Sequence, residues 1–407
     1  MNSRPHARLT GPASVGEWLA VKLSRVTSSG ELIPEIDGLR FIAISAVIFH
    51  HLMSIYLPQS GRSCVVRTPD EWFAAGQQSW LVFPAYCGFF GVHLFFVISG
   101  FILALPFARR SFNRLPAPPL KSYYIRRVTR IEPPYFLCLI LCFIQLWPKT
   151  GDGAGLLPHL LASLFYGHGL IYGQHSVINS VTWSLEIEIQ FYLLVPFLVR
   201  MFGMRNVATR RALLAGLIVG FGLLSQWYIE PSPQPRLRFT LFNFLHYFLA
   251  GFLLADFYLT RKENGFRRYL SWDVVTVLAA VAIPLVLIHY PRYFFLLPFL
   301  VALLYAGFFM GRISNALVRL RWVVITGGMC YTLYLYHVMI IGALQTKTIA
   351  LSSITRPLTS DFLLQCLLIC PVIFAACGLL FFFTEKPFMR WSLSPRPAPA
   401  VSVSTGD

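Results

Sequence analysis

The sequence has few charged residues. Only 13% of its 407 residues are Asp, Glu, Lys or Arg, whereas about 25% are charged in an ordinary soluble domain. Acidic residues are the scarcer sign, with 17 Asp and Glu against 34 Lys and Arg. Hydrophobic residues make up 56% of the chain, and its mean hydropathy is +0.62. These values argue against a soluble enzyme and a disordered chain, and they predict a helical membrane protein.

Motifs of soluble enzymes and metal sites are also missing. The sequence contains no CxxC or HExxH spacing, no GxSxG, no P-loop and no GxGxxG. We therefore expect no metal site and no bound cofactor, and neither a free-standing serine hydrolase nor a nucleotide-hydrolysing pump. Seven of the eight cysteines lie in apolar runs and only Cys64 lies in a loop, which argues against a disulfide framework. The first 30 residues lack the apolar core of a signal peptide, so the first span is expected to target the chain.

Long apolar runs are the main feature of the sequence. Ten of them are long enough to cross about 30 Å of hydrocarbon as helices. They lie near 41–57, 82–106, 133–147, 183–199, 212–229, 240–259, 273–290, 293–311, 323–344 and 363–384. A weaker run at 157–171 contains two histidines and two glycines. The sequence predicts an all-α polytopic membrane protein with about ten transmembrane helices, and residues 157–171 are a candidate re-entrant segment on the outer side.

The distribution of basic residues sets the expected topology. If 157–171 does not span, the loops carry 26 Lys and Arg on one side and 8 on the other; if it spans, the division is 17 to 17. The first division follows the positive-inside rule, so both termini are expected in the cytoplasm. The net charge of +17 then reflects topology rather than nucleic-acid binding. We predict a polar cytoplasmic segment at 1–32, one membrane domain at 33–390 and a disordered tail at 391–407.

The first span carries ionisable residues at membrane depth, where they are costly and mark candidate functional sites. Asp37 is expected to cap this helix, with Arg40 at its cytoplasmic edge. His51 lies eleven residues after Arg40, about 16 Å along the same helix face, whereas His50 points about 100° away. A neutral histidine is a natural general base for a hydroxyl proton, which makes His51 the stronger catalytic candidate. Either histidine can instead simply bond to a neighbouring helix.

Two further stretches carry candidate site residues. In KSYYIRRVTRIEPPY, Arg127 and Arg130 are three residues apart, so they share a helix face that leads into a Pro-Pro break. They can bind the phosphates of a nucleotide-like donor, or anionic lipid as basic clusters commonly do. In WSLEIEIQFYLL, Glu188 and Tyr192 share a face, while Glu186 points about 160° away from Glu188. Glu188 can orient a histidine or simply pair with a cation.

Weaker candidates lie in three other apolar runs. Gly100 is expected to permit close helix contact, and Ser99 precedes it. Asp256 and His337 are more typical of residues that bond between packed helices, although His337 is also a candidate site residue.

Five sequence segments, taken in their order along the chain, resemble those of a known protein family. IPEIDGLRFIAISAVIFHH, FFGVHLFFVISGFIL, YYIRRVTRIEPPY, VTWSLEIEIQFYLL and YTLYLYHVMI resemble the membrane acyltransferase 3 family over about residues 33–388. The resemblance implies an integral-membrane O-acyltransferase, typically of a bacterial inner membrane. It implies transfer of acetyl or another short acyl group from acyl-CoA, as co-substrate, to a hydroxyl of a glycan or a secondary metabolite.

The resemblance also carries residue assignments. The family's pattern of a basic residue, ten residues and a histidine falls on Arg40 and His51, and it favours His51 over His50. Its Arg-x-x-Arg pattern falls on Arg127 and Arg130, and its glutamate falls on Glu188. We therefore expect a donor held by the arginines, with His51 as general base and Glu188 assisting it. An acyl-histidine intermediate stays open as an alternative to direct transfer.

Two other classes of protein remain open. A transporter or flippase is compatible with ten spans and buried ionisable residues, although no inverted repeat is evident. A lipid-linked-sugar glycosyltransferase would use an acidic pair in the first outer loop, for which Asp70 and Glu71 are the candidates.

Overall fold

We determined the architecture from a computed structural model. It describes residues 17, 19, 22–25, 33–61, 82, 85, 87–116, 118–263, 265, 267–288, 293–353 and 355–391. Most of the predicted cytoplasmic segment 1–32, nearly all of the tail 391–407, and Asp70 and Glu71 lie outside these residues. Within the described ranges every regular element is a helix, as the sequence predicts.

The helices follow the apolar runs. Their bounds are Pro34–Gln59 (α1), Gly91–Phe112 (α2), Leu120–Thr150 (α3), Gly153–Leu164 (α4), His168–Tyr172 (α5), Trp183–Leu198 (α6), Val207–Leu224 (α7), Leu245–Glu263 (α8), Leu270–Ile288 (α9), Leu297–Met310 (α10), Ile313–Val318 (α11), Arg321–Gly328 (α12), Cys330–Thr348 (α13), Leu358–Leu380 (α14) and Lys386–Trp391 (α15). A π-turn at Ser225–Ile229 extends α7, and another at Phe381–Glu385 joins α14 to α15.

Six described helices are long and apolar enough to cross a membrane, and a seventh span forms if α12 and α13, bent by 72°, are taken together. The other three predicted spans coincide with α6, α8 and α10, which fall short in length or hydropathy. The weak run at 157–171 divides between two short helices, α4 and α5, rather than forming one span. The structure therefore describes a helical protein with several membrane-spanning helices.

Close helix packing around α1 and α2 positions the site. Helix α1 packs against α2, α12 and α13, and α2 packs along α8. A Cβ atom at Gly100 on α2 would collide with the Phe248 carbonyl of α8, and one at Gly251 with the Val97 carbonyl. Glycine at these positions lets the two backbones touch, which confirms the contact predicted for Gly100.

Buried ion pairs fix other helices. On α8, the fully buried carboxylate of Asp256 accepts from Nε of Arg210 at 2.5 Å and from Nε of Arg211 at 2.6 Å, both on α7. Arg210 also donates to the Met204 carbonyl at 2.6 Å. Asp256 therefore holds helices together, the more typical of the roles considered for it.

Candidate functional site

The start of α1 places Asp37 beside two arginines. The helix begins at Pro34, whose fixed φ suits the first helical position, so the expected N-cap role of Asp37 is wrong. Asp37 lies one turn inside the helix, and its buried Oδ1 accepts from Nη1 of Arg40 at 2.7 Å. Nη1 of Arg25 lies 3.4 Å from the same oxygen. Asp37 therefore fixes the guanidinium of Arg40 at this end of the helix.

Arg40 borders a partly open cavity of about 120 Å³ between α1, α2, α3, α6 and α13. The structure brings five of the predicted site residues to this cavity. They are Arg40, Arg127, Arg130, Glu188 and Tyr192. Their ranges in the sequence are far apart, so the helix packing alone gathers three cations around one space.

Arg127 and Arg130 enter the cavity from α3. That helix runs unbroken through Pro133 and Pro134, so the expected Pro-Pro break is wrong. Each proline removes one helical N–H donor, and neighbouring groups stabilise this stretch: the hydroxyl of Tyr331 on α13 donates to the Ile131 carbonyl at 2.9 Å. The unbroken helix keeps the two arginines on one face.

Neither of these arginines has a hydrogen-bond or salt-bridge partner in the described part of the chain. The guanidinium of Arg127 instead lies over the rings of Tyr123 and Tyr192, with its carbon 5.7 Å and 5.8 Å from the two ring centroids. Its Nε is buried and unpartnered. A buried donor without a partner is costly, so Arg127 is available to an anion in the cavity. Arg130 lies within electrostatic range of the buried carboxylate of Glu385.

Glu188 is the carboxylate of the cavity. Its Oε1 accepts from the hydroxyls of Ser99 and Tyr192, each at 2.7 Å, which confirms that Glu188 and Tyr192 share a face. Glu186 points away and accepts from the backbone N–H of Gly169 on α5 at 2.9 Å. Glu188 makes no hydrogen bond with His51 among the described residues, so the structure gives no support to a direct contact between them.

His51 lies beyond the cavity, next to a second histidine. Its Nδ1 is 2.9 Å from the Val47 carbonyl oxygen and 3.1 Å from Nε2 of His337 on α13. The ring of His50 is turned away and makes edge contacts with the rings of His51 and Phe89, at centroid distances of 5.3 Å and 5.7 Å. His51 is thus the α1 histidine that contacts His337.

Tyr334 connects the cavity with the histidine pair. It lines the cavity, its hydroxyl is 2.6 Å from Oγ of Ser184 on α6, and its backbone carbonyl is 2.8 Å from Nδ1 of His337. Sequence analysis did not single out Ser184, because a serine in an apolar run carries no signal of its own.

Glu385 is a second residue that sequence analysis missed. It is fully buried in the π-turn after α14, and its Oε2 accepts from the Thr332 hydroxyl at 2.6 Å. An acidic residue at the end of a long apolar run is a signal that could have identified it.

The described residues contain no cluster of three or more His, Cys, Asp or Glu side chains able to hold a metal ion. The polar groups that gather instead are three guanidiniums, one carboxylate and several hydroxyls. These features define a multi-pass helical membrane protein with an arginine-lined cavity between its helices.

The family follows from comparison with known sequences. Residues 33–382 match the model of the acyltransferase 3 family, described as an acyltransferase domain. The match covers most of the chain, so this protein belongs to that family, and the resemblance seen in the sequence is confirmed. No solved structure matches the chain.

Three of the curated proteins to which this chain is similar have names that describe O-acetyltransferases. The chain is 29% identical over 209 residues to the peptidoglycan O-acetyltransferase OatA of Listeria monocytogenes, covering 48% of this chain and 28% of the relative. It is 24% identical over 340 residues to the O-acetyltransferase OatA of Staphylococcus aureus, covering 77% and 51%. It is 26% identical over 226 residues to the putative peptidoglycan O-acetyltransferase YrhL of Bacillus subtilis, covering 51% and 30%. The matches span about half or less of each relative's length.

Proposed function

We propose that this protein is an O-acyltransferase of the membrane, moving a short acyl group from acyl-CoA to a hydroxyl. The observation that carries the proposal is the cluster of three arginines, Arg40, Arg127 and Arg130, that lines one cavity, with a buried donor of Arg127 left without a partner. Guanidinium groups bind phosphate through two parallel N–H donors. The phosphates of coenzyme A are the anions that this arrangement suits in an acyltransferase family.

The proposed topology has ten spans with both termini in the cytoplasm, in a bacterial inner membrane. The excess of Lys and Arg on one side supports it, because the cytoplasmic loops of membrane proteins are the basic ones. Arg127 and Arg130 then face the compartment that contains acyl-CoA. The segment of α4 and α5 lies on the outer side, where an acceptor glycan would approach.

The size of the cavity supports a short acyl group. Its volume of about 120 Å³ is enough to hold several water-sized groups. In this proposal an acetyl group and its thioester occupy that space. The nucleotide end of the donor stays at the arginines, and its flexible arm reaches inward.

His51 is the proposed general base, and Glu188 the group that orients the acceptor hydroxyl. His51 lies about 16 Å along α1 from Arg40, a distance suited to an extended donor arm. His51 removes the hydroxyl proton as the oxygen bonds to the acyl carbon; the carbon–sulfur bond breaks, and the proton passes to the sulfur. The products are the ester and the thiol of coenzyme A. Oε2 of Glu188 has no hydrogen-bond partner among the described residues, which leaves it available to a hydroxyl.

The proposed acceptor is a glycan, with a hydroxylated secondary metabolite as the second candidate. The named relatives support the glycan, since two of them are called peptidoglycan O-acetyltransferases, one of these putatively.

The test is release of coenzyme A thiol by purified protein in lipid nanodiscs, with a panel of glycan and metabolite acceptors. Wild type and His50→Ala are expected to turn over, and His51→Ala to lose at least 100-fold, the usual contribution of a general base. His50→Ala is the matched control, because it removes a histidine from the neighbouring position. Undiminished turnover in His51→Ala would refute the mechanism. Proton-coupled uptake into liposomes without acyl transfer would favour a transporter.

A further inference from the structure

The two histidines that meet between α1 and α13 have fixed proton positions. Nδ1 of His337 lies 3.0 Å from the Leu333 carbonyl oxygen and 2.8 Å from the Tyr334 carbonyl oxygen. A carbonyl oxygen only accepts hydrogen bonds, so this nitrogen carries the proton. His337 is completely buried, which favours the neutral ring. A neutral imidazole has one N–H, and Nε2 of His337 is therefore a bare acceptor.

The same reasoning then applies to His51. Its Nδ1 faces two acceptors, Nε2 of His337 at 3.1 Å and the Val47 carbonyl at 2.9 Å. This nitrogen must also carry its ring's proton, which the two acceptors share. The lone pair of a neutral His51 consequently lies on Nε2, at the opposite edge of the ring. That atom has no hydrogen-bond partner in the described part of the chain.

We propose that His337 is the positioning residue of His51, holding it in the tautomer whose bare Nε2 accepts the hydroxyl proton. The inference rests on the proposed function for the base role of His51, but the proton positions follow from the contacts alone. His337 accomplishes this without a carboxylate: backbone carbonyls fix its own proton, and it then orients the second ring. The histidine pair thus determines which ring nitrogen of His51 accepts the hydroxyl proton, within a neutral site of low dielectric constant.

A second pair provides an internal control. Nδ1 of His159 on α4 lies 2.9 Å from Nε2 of His168 on α5, and Nδ1 of His168 lies 3.2 Å from the Gln174 carbonyl oxygen. This pair has the same chain of hydrogen bonds as His51 and His337. It joins α4 to α5, and neither residue makes a hydrogen bond to His51 or His337 among the described residues. The same substitutions at His168 show the effect of losing a contact between two histidines. The effect of mispositioning the base is the additional loss seen at His337.

The proton positions are tested first in the wild-type protein. Nitrogen NMR of protein labelled with ¹⁵N only in histidine distinguishes protonated from bare ring nitrogens. Signals are assigned by their disappearance in His51→Gln and His337→Gln. The expected result at neutral pH is a neutral His51 with its proton on Nδ1. A His51 protonated on Nε2, or charged, would overturn the proposal, whether or not the protein transfers acyl groups.

Kinetics then test the role. His337→Gln retains an amide oxygen near the position of Nε2, whereas His337→Leu has no acceptor there. The leucine variant is expected to lose about 100-fold in kcat, the cost of a mispositioned reacting group, with KM for acyl-CoA unchanged. The glutamine variant recovers at least a tenth of wild-type kcat. His168→Gln and His168→Leu are expected to be alike. Equal kcat for wild type and His337→Leu, or equal loss in both His337 variants with the fold intact, would contradict a positioning role.

Discussion

Two arginine pairs in this protein have opposite surroundings. Arg210 and Arg211 on α7 share the carboxylate of Asp256, one arginine bonding to each oxygen, and Arg211 also donates to the Thr260 hydroxyl at 3.2 Å. Arg127 and Arg130 on α3 make no salt bridge within the described residues and face a cavity. The first pair is bonded directly to its carboxylate, whereas the second pair has carboxylates only at longer range: Glu188 in the same cavity, and Glu385, which interacts electrostatically with Arg130.

This difference indicates which arginine pair stabilises the fold and which pair binds a ligand. A buried cation with its carboxylate in place holds two helices together, and removing the carboxylate leaves an uncompensated charge. A cation that lines a cavity without a salt bridge is available to bind an anionic ligand. Arg127 and Arg130 are therefore expected to matter for donor binding, and Arg210 and Arg211 for folding.

The largest expected effect is the loss of stability when Arg210 and Arg211 lose their carboxylate. Asp256→Ala leaves Arg210 buried beside no anion, so the free energy of unfolding should fall by about 3–5 kcal/mol. Thermal unfolding in detergent measures this. Asp152→Ala is the comparison variant, since Asp152 only caps α4 by accepting from the Gly155 N–H, and it should cost about 1 kcal/mol. Equal melting temperatures for Asp256→Ala and wild type would show that this pair is not structural.

Replacement of Glu188, the carboxylate of the cavity, should lower turnover rather than stability. Glu188→Gln keeps the shape of the side chain and its bonds to the neighbouring hydroxyls, so the melting temperature should change little. Turnover should fall at least tenfold, because a neutral amide orients an acceptor hydroxyl less strongly than a charge does. Thiol-release kinetics and donor binding are measured side by side. A fall in stability with full turnover would place Glu188 with Asp256 instead.

A smaller effect is expected from one hydroxyl beside that carboxylate. Tyr192→Phe removes the 2.7 Å hydrogen bond to Glu188 and keeps the ring under Arg127. The bond contributes about 0.5–1.5 kcal/mol, so turnover should fall between about twofold and tenfold. Tyr124→Phe on α3 is the control, as Tyr124 does not line the cavity. Identical rates for the two variants would exclude a role for this bond.

The sequence predicts some of this arrangement well. The apolar runs predict the helices, because a backbone in lipid must satisfy its own hydrogen bonds. The i, i+4 spacing predicts the contact between Glu188 and Tyr192, which the structure confirms. The roles of His51 and Glu188 stay predictions.

Other features depend on distant contacts. His337 lies 286 residues from His51, and no spacing rule links them. The helix continues through Pro133 and Pro134 in a stretch where Tyr331, 200 residues away from Ile131, provides a hydrogen bond. Arg127 and Arg210 are also alike in sequence, and only the packed structure shows which one has an internal anion.

The most direct measurement is the affinity for acyl-CoA of purified protein in nanodiscs, by calorimetry. Arg127→Gln and Arg130→Gln should each weaken binding at least tenfold, since a bond to a charged group contributes about 1.5–3 kcal/mol, and Arg127→Gln should do so without lowering the melting temperature. Arg126→Gln, which replaces the exposed neighbour on the same helix, should bind as wild type does. Unchanged affinity in both cavity variants, or equal weakening in Arg126→Gln, would contradict the claim that Arg127 and Arg130 hold the donor.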